Sequence, residues 1–388
     1  MLILIQNAEV YAPNFLGRKD ILLAASKILA IDDKIDPPAG LEVKVIDATG
    51  LKLVPGFIDA HVHIAGAGGE GGPATRTPEM QLSEMISAGV TTVIGCLGTD
   101  GFARSVDSVL MKVKALRAEG VSAWMYTGAY QVPTPTITGD VARDILMIEE
   151  IIGVGEVAIS DHRSSCPSSK ELTRLTAHAR VAGMLSGKAG ILNIHMGDAK
   201  DPFKPLYKVV ENSEMNLRQF LPTHINRNDY IFEDAKIYGK NGYLDITTSS
   251  YPYYPDEEIK PATALRLLLE AGIPIEHITF TSDACGSLPG FDPVTGELIK
   301  VETGLPSANL RELRDAVLIE GLPLDTALKV LTSNPATILK LKQKGRIAKG
   351  MDADLVLLNE NLDIHSVFAL GQLVVDDGML LKKGMYEK

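Results

Sequence analysis

Short runs of apolar residues, each ending in polar side chains or glycine, recur about every 25 to 40 residues through the middle of the chain. Eight such runs read as strands: VPGFIDAHVH, GVTTVIGCLG, VSAWMYTGAY, GVGEVAIS, GILNIHMG, LPTHIN, YLDITTS and HITFTSDA. Helical periodicity appears between and after them in FKPLYKVVENSEMNL, PATALRLLLEAG, NLRELRDAVLIEG and LDTALKVLTSN. Eight buried strands alternating with helices leave two arrangements open, a parallel (β/α)8 barrel or a doubly wound sheet. The barrel is favoured, because polar residues sit at the C-terminal ends of many different strands, where barrel sites are built.

The two ends of the chain have another texture. LILIQNAEVYA, DILLAASKILAI and LEVKVIDATGLKLV are β-branched-rich or alternating and are punctuated by Pro37, Pro38 and Gly40. ADLVLLN, IHSVFALGQLVVDDGM and LLKKG repeat that texture near the C-terminus. Both ends are therefore expected to join in one small β domain, residues 1–53 plus 345–388, around a barrel over 54–344. No internal repeat is visible.

With 388 residues and 45% hydrophobic content the chain can bury one large core or a large and a small one. A net charge of −11 argues against nucleic acid as a partner, since that binding needs a clustered basic surface. MLILIQNAEVY lacks a basic flank and a long apolar core, so it reads as a first strand and not as a signal peptide. No run approaches the roughly 18 apolar residues of a membrane span. Cys96, Cys166 and Cys285 are odd in number and far apart, which fits reduced thiols in the cytoplasm. None has a partner at C-x-x-C spacing, so the thiols are not read as zinc ligands.

The chemistry concentrates in histidine and acid residues at strand ends. His61 and His63 are two apart on one strand and so face the same side. Alone, such a pair is equally well explained by ordinary hydrogen bonding. Asp59, on that face, could serve as an acid behind the ligands. His195, His224 and Asp283 close three further strands, and the five together match the nitrogen and oxygen preferences of zinc. His162, His178, His277 and His365 have no such joint placement; His162, which follows a strand, reads as a supporting or structural residue.

GFIDAHVH, the two single histidines, Ser282-Asp283 and the closing SNPATILKL and KGRIAKGMDADLVLLN resemble the amidohydrolase superfamily. HIAGAGGEGG, AISDHRS, HMGD, PTHINRN and SDACGS resemble, more specifically, bacterial isoaspartyl dipeptidases. The resemblance spans nearly the whole chain. It implies a distorted (β/α)8 TIM barrel with a small β-sandwich domain from both chain ends, and a large homo-oligomer. It also implies hydrolysis of the β-aspartyl bond of isoaspartyl dipeptides by metal-activated hydroxide. His61, His63, His195 and His224 match metal ligands, and Asp283 matches a ligand that is also the catalytic acid and base. Glu70 matches the residue that holds the substrate ammonium, and Tyr130 the group that polarises the scissile carbonyl. Arg163, Arg227, Ser287 and Thr99 match substrate-binding positions. Charge agrees: such a dipeptide carries one ammonium and two carboxylates, and an arginine fork suits a carboxylate. Taken alone, each arginine could be a surface ion pair and Tyr130 a core aromatic. The glycine run at 66–72 reads better as a mobile substrate loop than as a phosphate cradle, because it lacks a lysine-serine ending.

One position departs from that pattern. The template carries a carboxylated lysine on the fourth barrel strand, where this chain has Glu156; the nearest lysines are Lys114 and Lys170. A glutamate can bridge two cations through its two oxygens, so two zinc ions are expected, against an alternative in which Glu156 pairs with one cation only. Rival functions are cyclic amide hydrolysis as in dihydroorotases and hydantoinases, deacylation of N-acyl amino acids, and a non-catalytic scaffold. Glu70, Arg163 and Arg227 distinguish the dipeptidase from the first two, and the retained ligands distinguish it from the third.

Overall fold

The computed structural model describes residues 2–292, 295 and 297–387. The N-terminal part forms β1 (Leu2–Tyr11), β2 (Phe15–Ala24), β3 (Lys27–Asp32), β4 (Val43–Asp47) and β5 (Lys52–Pro55). Next come six strands alternating with helices: β6 (Phe57–Val62), α1 (Leu82–Ser87), β7 (Val90–Gly95), α2 (Val106–Ala118), β8 (Ser122–Thr127), α3 (Val141–Met147), β9 (Ile151–Ile159), α4 (Ser169–Ser186), β10 (Ile191–Met196), α5 (Lys204–Glu211) and β11 (Phe220–Thr223). After α6 (Asp229–Tyr238), β12 (Leu244–Thr247), α7 (Pro261–Glu270) and β13 (Ile278–Thr281), a hairpin of β14 (Ser287–Phe291) and β15 (Leu298–Thr303) intervenes. The chain then runs through α8 (Ser307–Leu318), α9 (Leu324–Ala327) and α10 (Ser333–Ile338) into β16 (Leu355–Leu358), β17 (Ile364–Ala369), β18 (Gln372–Asp376) and β19 (Met379–Leu380).

β6 to β11 form one parallel sheet in sequence order, and β12 pairs with β13 in parallel. These strands are buried along their length except at Trp124 in β8, as parallel strands covered on both faces are. Side-chain and backbone bonds link the two sheets. Asn226, just after β11, accepts from the Thr247 backbone at 3.0 Å and donates to the Thr247 carbonyl at 3.1 Å. At the other end the His63 N–H donates to the Ala284 carbonyl at 2.9 Å, and Val62 bridges Ala284 in parallel. All eight expected strands are present.

The chain ends do meet. β5 pairs antiparallel with β16, which places N-terminal and C-terminal strands in one nine-stranded sheet ordered β19-β18-β17-β16-β5-β1-β2-β3, with β4 on β1. Its own buried layer includes Ile3, Ile5, Leu23, Ile28, Leu53, Leu355, Leu357 and Phe368. Each such side chain contributes roughly 1.5–3 kcal/mol by leaving water. Lys344, 4% exposed, ties this sheet to the helical part by donating to Ser122 Oγ at 2.6 Å while bonded to Asp354 and 2.8 Å from Asp352. Among the described residues no helix is long and apolar enough to cross a membrane.

Two helical segments differ from expectation. FKPLYKVVENSEMNL forms an α-helix only over α5, and LDTALKVLTSN splits into α9, a 3-10 turn and the start of α10, the last break falling at Thr332. The longest helix, α4, carries a weak apolar signal because its buried face uses Ala179, Ala182 and Gly183 besides Leu172 and Leu175. Small residues there let the helix approach the sheet: a Cβ on Gly183 would lie 2.6 Å from Gly190 Cα.

Candidate metal centre and active site

The expected ligand positions lie at C-terminal strand ends, apart from Glu156, which is three residues inside its strand. His61 is in β6 with His63 just beyond it, Glu156 in β9, His195 in β10, His224 directly after β11, and Asp283 two residues after β13. His224 and Asp283 leave their strands through the left-handed region (φ 64° and 54°), which turns both side chains inward. Space for the Asp283 turn is provided by glycine: a Cβ on Gly304 would lie 2.2 Å from the Asp283 carbonyl, and one on Gly286 2.5 Å from its carboxylate.

The six side chains fall into two groups, one around each oxygen of Glu156. Glu156 Oε1 lies 2.7 Å from His195 Nδ1 and 3.1 Å from His224 Nε2. Glu156 Oε2 lies 3.4 Å from His61 Nε2 and 3.8 Å from His63 Nε2. Asp283 Oδ1 completes the second group, 3.0 Å from His63 Nε2 and 3.6 Å from His61 Nε2. His61 Nε2, Glu156 Oε2 and Asp283 Oδ1 are all buried and find no hydrogen-bond partner among the described residues. Buried acceptors left bare cost free energy, and three of them converging is what a cation would satisfy. Ligand atoms at 2.0–2.2 Å from a tetrahedral zinc lie about 3.3–3.6 Å apart, close to the separations within each group. The donor set fits zinc.

The opposite nitrogen of each histidine is also engaged. His61 Nδ1 meets Asn193 Oδ1 at 2.9 Å, His224 Nδ1 meets Thr247 Oγ1 at 2.7 Å, and His195 Nε2 meets Asp161 Oδ2 at 3.0 Å. His63 Nδ1 faces the Cys96 sulfur at 3.8 Å. Such contacts hold a ligating ring in one tautomer and orientation. None of the four partners is singled out by the sequence. Asn193 had a signal, standing two residues before His195 on the same strand face. The thiols, read as bystanders, include one that is not: Cys96 is fully buried beside His61, His63 and Glu156, close enough to belong to the same donor cluster.

Burial would raise the Glu156 carboxyl, but His61 and His195 outweigh it and hold it well below the usual range. Asp283 is likewise held down, burial being outweighed by His63. Burial, then the nearby charge of Glu156, pushes the Tyr130 phenol well above its ordinary value, so it remains a donor at neutral pH. Tyr130 Oη sits 2.7 Å from His195 Nδ1, at the edge of the cluster.

A cavity of about 480 Å³ opens above these groups and is lined by every expected substrate residue: Glu70, Thr99, Arg163, Arg227 and Ser287, with Tyr130. Glu70 accepts from Thr99 Oγ1 at 3.1 Å through one oxygen; its other oxygen is buried with no hydrogen-bond partner among the described residues. Arg163 Nη1 is 3.7 Å from Glu70, and Arg163 forks onto Asp161 through Nε at 3.0 Å and Nη2 at 2.9 Å. Arg227 Nη1 lies 3.7 Å from the same Asp161.

Two expectations are corrected. Asp59 does not support a histidine; it accepts from the Ser282 N–H at 3.0 Å and from the Ser282 hydroxyl, so it holds the turn that carries Asp283. His162 has a side chain 85% exposed at the cavity rim, too open for a structural role. The glycine-rich loop is anchored at its edges: Arg104 donates to the carbonyls of Ala65, Ala67 and Thr77, and Thr77 Oγ1 donates to the Cys285 carbonyl at 2.6 Å.

The amidohydrolase family model matches residues 249–367. Among curated relatives, a dihydroorotase of Elusimicrobium minutum is 26% identical, with 92% of this chain and 88% of that one covered. Among solved structures, the dihydropyrimidinase of Brevibacillus agri shares the fold at a TM-score of 0.67 and 18% identity, over 99% of this chain and 97% of that one. The β-aspartyl dipeptidase of Fervidobacterium islandicum AW-1, solved in complex with a β-Asp-Leu dipeptide, superposes at a TM-score of 0.91 with 42% identity over 98% of both chains. Identity at that level along the full length shows that the chain belongs to the β-aspartyl dipeptidase family of the amidohydrolase superfamily.

Proposed function

We propose that the protein is a metal-dependent dipeptidase that hydrolyses the β-aspartyl isopeptide bond of isoaspartyl dipeptides. The observation that carries this reading is the buried, unpartnered oxygen of Glu70, placed in one cavity with Arg163, Arg227 and the donor cluster. A carboxylate in one cavity with two guanidinium groups matches a zwitterion with an extra carboxylate. A cyclic amide or an N-acyl amino acid brings no ammonium for it.

In this reading, residues 54–344 form a distorted (β/α)8 barrel and residues 1–53 plus 345–388 a small β-sandwich domain. Two zinc ions would be held by His61, His63, His195, His224 and Asp283, with Glu156 between them. The chemistry such a cation would supply is a bound water with its pKa lowered to about 7 and Lewis-acid polarisation of the amide carbonyl. Asp283, kept ionised, accepts the proton of the attacking water and returns it to the leaving amine. Tyr130, kept protonated, donates to the oxygen on which charge develops. Glu70 holds the α-ammonium through its free oxygen, oriented by Thr99, while Arg163 and Arg227 grip carboxylates and Ser287 borders the same space.

Assay of β-Asp-Leu beside dihydroorotate and N-acetyl-leucine, with added zinc, tests this. Cleavage of β-Asp-Leu to aspartate and leucine at a kcat/KM at least a hundredfold above the other two is expected. Preference for either competitor refutes the assignment.

A further inference from the structure

Asp161 belongs neither to the donor cluster nor to the expected substrate residues, yet it touches both. It lies two residues after β9, and its side chain is 3% exposed. One oxygen, Oδ1, accepts from the Arg163 backbone N–H at 2.7 Å and from Arg163 Nε at 3.0 Å. The other, Oδ2, accepts from Arg163 Nη2 at 2.9 Å, lies 3.0 Å from His195 Nε2, and has Arg227 Nη1 at 3.7 Å. No other described acid contacts a histidine of the cluster and both arginines.

The geometry fixes what this carboxylate can do. His195 turns Nδ1 toward Glu156 and the Tyr130 hydroxyl, each at 2.7 Å, and Nε2 toward Asp161 at 3.0 Å, with Arg163 Nη2 at 3.1 Å and Arg227 Nη1 at 3.4 Å beside it. A ligand nitrogen must be free of its proton, so the ring serves the cluster through Nδ1 only if the proton sits on Nε2, and there it donates to Asp161 Oδ2. The same carboxylate holds the Nε and Nη2 edge of Arg163. That leaves Nη1, the atom 3.7 Å from Glu70, as the edge presented to the cavity. Arg163 also lies over the Tyr130 ring, 5.4 Å from its centroid, so its plane is held from a second side.

We propose that Asp161 is a positioning residue that couples cation binding to dipeptide binding, by orienting His195 and Arg163 with a single carboxylate. Ordering either partner orders the shared acid and so prepares the other. This rests on the metal-dipeptidase reading, and the experiment separates the two.

Zinc affinity of the apoprotein is measured by chelator competition, and KM and kcat for β-Asp-Leu at saturating zinc, in wild type, Asp161→Asn and Asp161→Glu. In Asp161→Asn the zinc dissociation constant should rise ten- to a hundredfold, the usual cost of losing an acid behind a ligating histidine. KM should rise roughly ten- to a hundredfold as well, the range for a lost charged hydrogen bond, with a smaller fall in kcat. Asp161→Glu restores the charge and should recover part of both. If the Asn variant does not fold, the Glu variant carries the test, since its longer arm displaces both partners and must shift both constants together. A shift in only one constant, or in neither, overturns the coupling even if thermal stability falls. Wild-type protein that takes up no zinc overturns the underlying reading and this proposal with it; zinc-binding wild type with unmoved variants overturns this proposal alone.

Discussion

Asp283→Asn separates the proton-transfer role proposed for this residue from its role as a ligand. Asparagine has the shape of aspartate, and the Ser282 turn beneath it is held by Asp59, so the side chain should keep its place. What it loses is the charge and the basic oxygen, which in the wild type has no hydrogen-bond partner among the described residues and points at His63 Nε2 from 3.0 Å. Five of the six donor groups are untouched, and the amide oxygen remains a weak sixth. Metal content should therefore stay above half of the wild-type value. A positioned general base and acid contributes about 10²–10⁴ in rate, which is about 2.7–5.4 kcal/mol of barrier. The assay is kcat for β-Asp-Leu by product chromatography, with metal per protomer by mass spectrometry on the same sample. A variant that keeps its metal and more than a tenth of wild-type kcat refutes the proton-transfer role. Loss of most of the metal would show that the inactivity reports ligation instead.

Three other changes probe the surrounding structure. Glu70→Gln keeps an acceptor for Thr99 but removes the charge for the ammonium; KM for β-Asp-Leu should rise roughly ten- to a hundredfold with kcat changed less, and an unaltered KM would remove Glu70 from the substrate site. Asp245 lies fully buried among the strands, accepting from Thr223 at 2.7 Å, Thr279 at 2.5 Å and Thr281 at 2.6 Å. In Asp245→Asn at least one hydroxyl faces a donor, so stability should fall by about 1–3 kcal/mol in urea unfolding; no change would contradict the assigned bonds. Glu258, which borders the cavity, is pushed up to about 7 by burial, against the opposing hydrogen bond from Ser250. A carboxyl raised on folding binds its proton more tightly in the native state, so its contribution is complete below about 4.5 and is lost as pH rises through 7. Glu258→Gln should flatten the fall in the unfolding midpoint between pH 5 and 7, and an unchanged slope would refute the burial of that charge.

The donor cluster was legible in the sequence wherever strand periodicity alone decides direction. His61 and His63 face one way because they are two apart, and His195, His224 and Asp283 were locatable because each ends a run that only a buried strand explains. Glu156 was found only through the family resemblance, by counting back from the DHRS motif to the position of the template's lysine, and the structure puts it between the two histidine groups. The supporting contacts were not legible. Asp161, Cys96 and Thr247 meet histidines from other strands, and which nitrogen meets which partner depends on the curvature of the sheet. Asp59 misled for the same reason: it shares a strand with His61 but points across to the end of β13. The β14–β15 hairpin was missed because Leu288-Pro289-Gly290 reads as loop. Its register instead pairs Pro289 with Val301 and Gly290 with Lys300 in an isolated two-stranded edge, where proline is tolerated.

In the proposed site Glu156 stands between two cations. Anomalous diffraction at the zinc absorption edge, from crystals grown with zinc, addresses it without reference to turnover. Two peaks are expected, one against His61, His63 and Asp283 and one against His195 and His224, each beside a different oxygen of Glu156. A single peak, or peaks away from these side chains, would contradict it.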